Sequence, residues 1–293
     1  MIARRRDGTL VETYDGERGM LAFLYTTGPG RLILKLLIQP WVSRGVGAFL
    51  STPLSKPMIG PFVRKNNMDL SDYPASAYSS FNDFFARKID PARRAVPGDR
   101  QVLIAPCDGK LTAIEIGQDN RFFVKGVVYT LDTLLWSCDL AEKYRGGTLL
   151  LFRLTVDDYH RYCWPFAGTP GEPKRIPGVY HTVNPLAAEK MPIYRENTRE
   201  YLEIETECFG RALMMEVGAL LVGRIQNHPI LGTVHRGQEK GYFQFGGSTV
   251  ILLLGPNTVQ LDQDIIRNSR NGEETVVKMG EQIGYATKIG ACV

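Results

Sequence analysis

Histidine is scarce in this sequence, and long apolar runs are missing from it. Among 293 residues the histidines are only His160, His181, His228 and His235. The apolar stretches near the start, 20–25 and 32–38, are much shorter than the roughly 18 to 20 residues that a membrane-spanning helix needs. The basic first residues are not followed by an apolar run with a small-residue cleavage site. We therefore expect neither a membrane span nor an export signal.

The cysteines lack the spacing of a metal site. Structural zinc sites usually contain closely spaced cysteine pairs, and the sequence has no CxxC pair. We therefore expect no metal site. The sequence predicts free thiols in a reducing compartment at all five positions, which are Cys107, Cys138, Cys163, Cys208 and Cys292.

The charge distribution argues against nucleic acid as a binding partner. The net charge is +4, and the basic residues are scattered along the chain. Proteins that bind nucleic acid usually concentrate their basic residues in one patch or stripe, so nucleic acid is not an expected partner. A hydrophobic fraction of 44% is typical of a folded protein.

The first part of the chain predicts short amphipathic helices. Between residues 18 and 63, apolar clusters alternate with basic residues, and the prolines at 40, 53, 57 and 61 break them into short pieces. In the segment 31–38, Lys35 can keep its charge in water while the leucines and isoleucines face lipid. The same pattern fits a helix packed on its own domain. The pattern thus predicts an N-terminal helical region, 1–78, and leaves open whether it docks to a membrane or packs on its own domain.

The rest of the chain predicts a β-rich catalytic domain over 79–293. After a capped helix at Ser79–Lys88, short β-branched and aromatic runs alternate with glycine, asparagine and proline. This regular spacing favours a sandwich or barrel-like arrangement within an α+β fold. The predicted strands are 109–116, 147–154, 199–207, 212–217, 220–225, 241–245 and 249–254.

The segment Gly246-Gly247-Ser248-Thr249 places a hydroxyl nucleophile directly after two glycines. Glycine adopts backbone conformations closed to other residues, so the Gly247 carbonyl can turn toward the Ser248 hydroxyl. A phosphate loop is excluded because Gly247 stands where its lysine belongs. The hydrolase pattern G-x-S-x-G also fails, since valine follows Thr249. The junction therefore predicts a peptide bond that breaks itself.

A serine nucleophile needs a base. His160 lies among aromatic residues after an apolar strand, which favours a functional role, whereas His181 in its proline-bounded segment fits a structural role equally well. Asp108 can orient a histidine as in a catalytic triad, or simply close a turn. Arg161 and Arg199 can bind a substrate carboxylate or phosphate, or form structural ion pairs.

Several motifs together resemble the phosphatidylserine decarboxylase proenzymes, from about residue 81 to the C-terminus. The helical N-terminal region looks like the membrane-docking part of that family. The motifs occur in consistent order, and they are Pro106-Cys-Asp-Gly109, Phe123-Val-Lys-Gly126, Asp158-Tyr-His-Arg161, His181-Thr-Val-Asn184, Asn197-Thr-Arg-Glu200, Val217-Gly-Ala219 and Gly246-Gly-Ser-Thr249.

The resemblance implies a self-cleaving enzyme. Ser248 would attack the Gly247 carbonyl, and β-elimination would then separate a β chain, 1–247, from an α chain, 248–293. Ser248 would become a pyruvoyl group, which forms a Schiff base with the substrate amine and needs no added cofactor. The implied reaction converts phosphatidylserine to phosphatidylethanolamine and CO₂. It would take place at the cytoplasmic side of the cell membrane, where the protein would be peripheral, and the resemblance allows a homodimer.

One departure from the family pattern concerns the base. Many members carry a second histidine three residues after the one that matches His160, and here that position is Cys163. Sequences with cysteine there resemble the second bacterial type. We expect His160 or His181 to act with Asp108 in self-cleavage. Two rival activities stay open, namely a pyruvoyl-dependent decarboxylase of a free amino acid and a serine hydrolase that does not cleave itself. A third alternative is an uncleaved β-rich binding module.

Overall fold

The computed structural model describes residues 2–12, 18–74, 77–220, 224–245 and 248–287. Short helices occupy the N-terminal part, and prolines begin two of them. Thr27 caps the second helix by accepting a hydrogen bond from the Gly30 amide. These helices are α1 (Arg18–Thr26), α2 (Gly28–Leu37), α3 (Pro40–Leu50) and α4 (Ile59–Lys65), with a 3₁₀ turn at Pro53–Met58. None of the helices in these described ranges is long and apolar enough to cross a bilayer.

Strands dominate the remainder. The strands of the large sheet are β1 (Ile2–Arg4), β2 (Leu10–Glu12), β4 (Gly109–Glu115), β7 (Thr148–Leu154), β9 (Gly168–Pro170), β10 (Lys174–Ile176), β11 (Arg199–Thr206), β12 (Arg211–Val217), β15 (Ser248–Leu254) and β17 (Glu274–Val277). The other strands are β3 (Val102–Ile104), β5 (Arg121–Val124), β6 (Val127–Thr130), β8 (Arg161–Cys163), β13 (Ile225–Asn227), β14 (Glu239–Phe243), β16 (Val259–Leu261) and β18 (Gln282–Ala286). Short helices connect them, namely α5 (Phe81–Phe85), α6 (Leu131–Leu135), α7 (Cys138–Glu142), α8 (Pro185–Ala188), α9 (Ile193–Glu196) and α10 (Gln263–Arg270), with a 3₁₀ turn at Pro91–Arg93.

The large sheet has the strand order β10-β11-β12-β15-β7-β4-β17-β1-β2, and β9 also pairs with β11. Its central strands run antiparallel, whereas β1 lies parallel to β17. The sequence did not predict β1 and β2, which bring residues 2–12 into the sheet of the catalytic region. Over the described strands the sheet has two separate edges, so it is an open sheet and not a closed barrel.

Alternating side chains bury both faces of this sheet. Leu149 and Leu151 contact a cluster formed with α1, α2 and α6 to α9, which we call the helix-covered face. Leu150 and Phe152 point the other way, toward the small sheets β13-β14-β8 and β16-β18-β3 and toward α10, and we call this the sheet-covered face. The strand period of two thus produces the layered, sandwich-like arrangement that the sequence predicts.

Strand direction brings the motif residues to one end of the large sheet. Strands β7 and β12 finish at Leu154 and Val217, whereas β4, β11 and β15 begin there. In the register, Ser248 pairs with Leu154, and Val277 of β17 pairs with Gly109. We call this region the Ser248 end of the sheet. Residues distant in sequence meet here because neighbouring antiparallel strands begin where their partners stop.

Most of the predicted elements are confirmed, including the α+β class, the helix capped by Ser80 and six of the seven strands. The predicted strand at 220–225 is wrong at Leu220, which lies in a turn, and residues 221–223 are outside the described ranges. A strand begins there only at Ile225. Among the cysteines, Cys107, Cys138 and Cys163 are free. The prediction of a free thiol is wrong for Cys208, which is disulfide-bonded. Cys292 lies outside the described residues.

Candidate active site

Ser248 is the first residue of β15, and its side chain faces the sheet-covered side. It shares this face with Val250 and Leu252, because alternate residues of a strand point the same way. The side chain is fully buried, and its Oγ atom has no hydrogen-bond partner in the described structure. An unpaired buried hydroxyl is costly unless it has a function. Gly247, which precedes the predicted cleavage point, lies outside the described residues, as does Gly246.

His160 lies one residue before β8, in the small sheet that covers this face. It is two residues before Tyr162, so both side chains point to the same face, and Tyr162 packs in the core between the two sheets. The Phe243 amide donates to the His160 carbonyl, which continues the pairing of β14 beyond β8. The imidazole packs against the tilted ring of Phe85, with ring centroids 4.1 Å apart. His160 therefore faces the space between the sheets at the Ser248 end.

The hydrogen bonds and burial of His160 leave its imidazole neutral, which is the state that can accept a proton. Its Nδ1 lies 2.9 Å from the Asp158 backbone oxygen, which can only accept, so Nδ1 carries the proton. Its Nε2 is buried and has no partner among the described atoms. Burial lowers the pKa of His160 to about 4, despite the opposing effect of the Asp158 charge. The ring is thus neutral near pH 7, with a free lone pair on Nε2.

A buried ion pair holds the loop that carries His160. The Lys110 ammonium lies 2.7 Å from Asp158 Oδ2, and the Thr155 amide donates to the same oxygen at 2.7 Å. Burial alone raises the pKa of Asp158, but Lys110 and Thr155 outweigh this effect and lower it to about 2. Lys110 has no local motif that indicates this contact, because its partner is 48 residues away along the chain.

Asp108 lies at the Ser248 end, immediately before β4, and is almost fully buried. Its carboxylate accepts from Arg94 at 3.0 Å, from Lys278 at 3.2 Å and from the Met279 amide at 2.8 Å. Within the described ranges no histidine hydrogen-bonds to Asp108. The structure therefore shows Asp108 paired with two cations, and its catalytic role stays a prediction.

His181 lies on the helix-covered face. Its Nδ1 is 3.1 Å from the Tyr25 hydroxyl of α1, and its Nε2 is 3.3 Å from Glu196. Burial lowers the pKa of His181 to about 4. Both ring nitrogens are engaged, and Tyr25 belongs to the cluster on the face opposite to Ser248. The contacts thus favour the structural interpretation of His181, and its proposed role as a base stays a prediction.

Cys163 does not replace the missing histidine in the space between the sheets. On β8 it alternates with Tyr162 and contacts Val102 and Ile104 in a separate cluster. Burial raises the pKa of its thiol to about 12, so the thiol stays protonated near pH 7.

A second buried ion pair lies on the same face as Ser248. Glu216 pairs in register with Val250, and its Oε2 lies 2.8 Å from the Lys240 ammonium. Asn227 contacts both groups, while Glu216 Oε1 has no partner among the described atoms. Burial raises the pKa of Glu216 against the opposing charge of Lys240. Lys240 is itself buried.

The two arginines considered as substrate ligands are both engaged elsewhere. Arg161 contacts Glu239 at 2.8 Å and donates to the Ala86 carbonyl. Arg199 is buried, and its guanidinium donates to backbone carbonyls, including those of Leu134 and Arg195 at 2.7 Å. Both therefore have structural partners in this structure.

Known proteins provide independent evidence. The family model "Phosphatidylserine decarboxylase" matches residues 81–285. A phosphatidylserine decarboxylase proenzyme 2 of Clostridium acetobutylicum is 44% identical, with 92% of each chain covered. A proenzyme of Fusobacterium nucleatum is 40% identical over 97% of this chain and 96% of its own, and one of Ruminiclostridium cellulolyticum is 41% identical over 94% and 93%. With the family model matching most of the chain and these relatives matching nearly all of it, the protein belongs to the phosphatidylserine decarboxylase family.

Proposed function

We propose that this chain is a self-processing enzyme that converts phosphatidylserine to phosphatidylethanolamine and CO₂, with a pyruvoyl group made from its own Ser248. The observation that carries the proposal is a pair of unpartnered atoms at one end of the sheet. Ser248 Oγ and His160 Nε2 are both buried, and neither has a hydrogen-bond partner in the described structure. A nucleophile and a neutral base that occupy the same layer are the groups that self-cleavage needs.

His160 supplies the proton acceptor for the first step. Nε2 takes the hydroxyl proton as Ser248 Oγ bonds to the carbonyl carbon of residue 247, and the bond from that carbon to the Ser248 nitrogen then breaks. The resulting ester eliminates when the Ser248 Cα proton is removed, and the upstream chain leaves as a carboxylate. Hydrolysis of the remaining enamine releases ammonia. The protein needs no external oxidant or reductant for these steps.

The residues around Ser248 fit a pyruvoyl group at this position. Loss of the hydroxyl removes a buried polar side-chain atom that has no partner among the described residues. The surroundings are apolar, with Leu154 in register on β7 and Val250 next on the same face. When formed, the group supplies an electron-withdrawing carbonyl that favours loss of the substrate carboxylate. His160 can hold a proton near that carbonyl on Nε2.

We also propose peripheral docking to the cytoplasmic side of the cell membrane through α1 to α4. This region exposes large apolar side chains next to Arg31, Lys35 and Lys56, which suits an anionic lipid surface. An exposed apolar patch of this kind usually marks an interaction surface. The exposed residues are Met20, Phe23, Leu32, Ile33, Leu36, Trp41, Phe49, Leu54 and Met58. Formation of a homodimer stays a prediction.

The activity is tested by following CO₂ release from phosphatidylserine vesicles and, separately, from free amino acids. We expect release from the lipid by the natural chain and none by the Ser248→Ala variant. Release from free amino acids alone would contradict the proposed substrate. Docking is measured by cosedimentation with anionic vesicles, which the Leu32→Asp/Leu36→Asp variant should weaken, since both side chains are exposed on α2.

A further inference from the structure

A cavity of about 690 Å³ lies beside the segment that leads to Ser248. Its walls include α3 and the residues around β13, and Phe245 lines it only three residues before Ser248. Asn82 connects these parts, because its amide donates to the Gly47 carbonyl of α3 and its oxygen accepts from the Phe245 amide. Asn82 therefore holds α3, which forms one wall of the cavity, against Phe245, three residues before the reactive residue in the sequence.

Three arginines line this cavity without any acidic residue. Arg44 lies on α3, Arg175 on β10 and Arg224 immediately before β13, and the lining contains no Asp or Glu. None of the three forms an ion pair with a described residue. Glu200 faces Arg175 in the strand register, but its carboxylate accepts from Asn227 instead. The cavity thus carries positive charge that the described residues leave uncompensated.

The backbone holds one of these arginines close to the reaction. The Gln244 amide donates to the Arg224 carbonyl, so Arg224 lies beside the residue that follows β14, four residues before Ser248 in the sequence. A second polar group also lines the cavity without a partner: Ser43 is only 7% exposed, and its hydroxyl has no hydrogen bond among the described atoms. A buried unpaired hydroxyl beside free guanidinium groups indicates a ligand that accepts hydrogen bonds.

We propose that Arg44, Arg175 and Arg224 bind the phosphodiester of the lipid substrate and thereby place its serine headgroup at residue 248. Guanidinium groups bind phosphate oxygens with paired, charge-assisted hydrogen bonds. The headgroup is short, since only a few bonds separate its amino nitrogen from phosphorus, so its phosphate must bind close to the reacting residue. This inference rests on the proposed function and assigns the substrate contacts to arginines other than Arg161 and Arg199.

The position of α3 explains how a lipid substrate could enter. Arg44 lines the cavity, while Trp41 and Phe49 of the same helix are exposed. A phosphodiester on the arginines leaves the acyl chains free to extend along this apolar helix toward the membrane. The same site would therefore select for a phosphorylated headgroup and against a free amino acid.

The kinetic test uses Arg175→Gln and Arg224→Gln, singly and together, because both residues lie outside the docking helices. The substrates are monomeric short-chain phosphatidylserine, without vesicles, and O-methylserine, which lacks the phosphodiester. For the lipid we expect KM to rise about tenfold or more in each variant with little change in kcat. Turnover of O-methylserine should not change. An unaltered KM in the double variant, or an equal loss with both substrates, would overturn the proposal.

The matched control is Arg270→Gln. Arg270 is also exposed, but it pairs with Glu115 at the opposite end of β4, so its variant should keep the natural KM. The pyruvoyl content of every variant is measured first by mass. A variant without the group has failed in self-processing, which bears on the proposed function and not on phosphate binding by the arginines.

Binding is tested separately by calorimetry, which does not depend on turnover. The probes are glycerophosphoethanolamine and inorganic phosphate, and the proteins are the natural chain and the Ser248→Ala variant. We expect the diester to bind more tightly than inorganic phosphate and the arginine variants to weaken its binding about tenfold. Equal binding of the two probes would contradict a headgroup site. Binding that fails to change in the variants would contradict the arginine assignment.

Discussion

The Nδ1 atom of His160 lies 2.9 Å from the backbone oxygen of Asp158, and this contact decides which ring nitrogen can act as a base. Because the carbonyl accepts the Nδ1 proton, the lone pair stays on Nε2, in the layer that also contains the Ser248 side chain. The Lys110–Asp158 ion pair holds the loop on which this orientation depends.

The two candidate histidines should behave differently when they are replaced. We expect His160→Ala to slow self-cleavage by about a hundredfold or more, since general-base catalysis typically contributes 10²–10⁴-fold. His181→Ala should still cleave, because both nitrogens of His181 contact Tyr25 and Glu196. The time course of chain separation on gels measures both rates, with the exposed His228→Ala as control. Equal rates for His160→Ala and the natural chain would rule out His160 as the base.

The pH dependence of self-cleavage follows from the lowered pKa of His160. The ring must be neutral to accept a proton, and its pKa of about 4 lies below the ordinary value of 6.5. The rate should therefore rise as pH increases through about 4 and stay level above about pH 6. Rates of newly refolded chain between pH 4 and 8 check this. A midpoint near 6.5 would show that the histidine involved is not the buried one described here.

Removal of Cys163 should leave self-cleavage intact. Its thiol is protonated, and its side chain packs in a cluster separate from the core around Ser248. We expect Cys163→Ala to cleave within about threefold of the natural rate and to lose about 1 kcal/mol of stability from the missing buried atom. Gel time courses and urea unfolding measure the two effects. A block of cleavage with an intact fold would place the thiol in the mechanism.

Replacing only one partner of the buried Lys240–Glu216 pair should lower the free energy of unfolding strongly. Lys240→Met leaves the Glu216 carboxylate buried without its cation, and breaking a buried pair in this way costs about 3–5 kcal/mol. The Glu216→Gln/Lys240→Met variant removes both charges and should regain much of that loss. Urea unfolding of the Ser248→Ala background measures each free energy of unfolding without cleavage. A double variant as unstable as Lys240→Met alone would contradict the role of the pair.

The sequence predicted the central strands well, because β7, β12 and β15 are long apolar runs whose strand propensity does not depend on distant partners. It did not predict β1 and β2. Strand β1 pairs with β17, near the far end of the chain, and β2 pairs with β1. The local sequence contains no sign of the contact with β17.

The sequence indicated which residues are candidates for the site, but it did not indicate which side chains they contact. Ser248, His160 and Asp108 lie toward the same end of the sheet, but no hydrogen bond joins them among the described residues, and their catalytic roles stay predictions. The partners of Asp108 are Arg94 and Lys278, which the sequence did not single out. Such pairings depend on which strands are neighbours, and a single sequence does not encode strand order in its local pattern.

The mass of the C-terminal fragment of the purified protein tests the central claim most directly. The account predicts a fragment from 248 to 293 that is lighter by one ammonia than the same segment with an N-terminal serine, and no such fragment from Ser248→Ala. An intact natural chain, or a fragment that begins with unmodified serine, would contradict conversion of Ser248 to a pyruvoyl group.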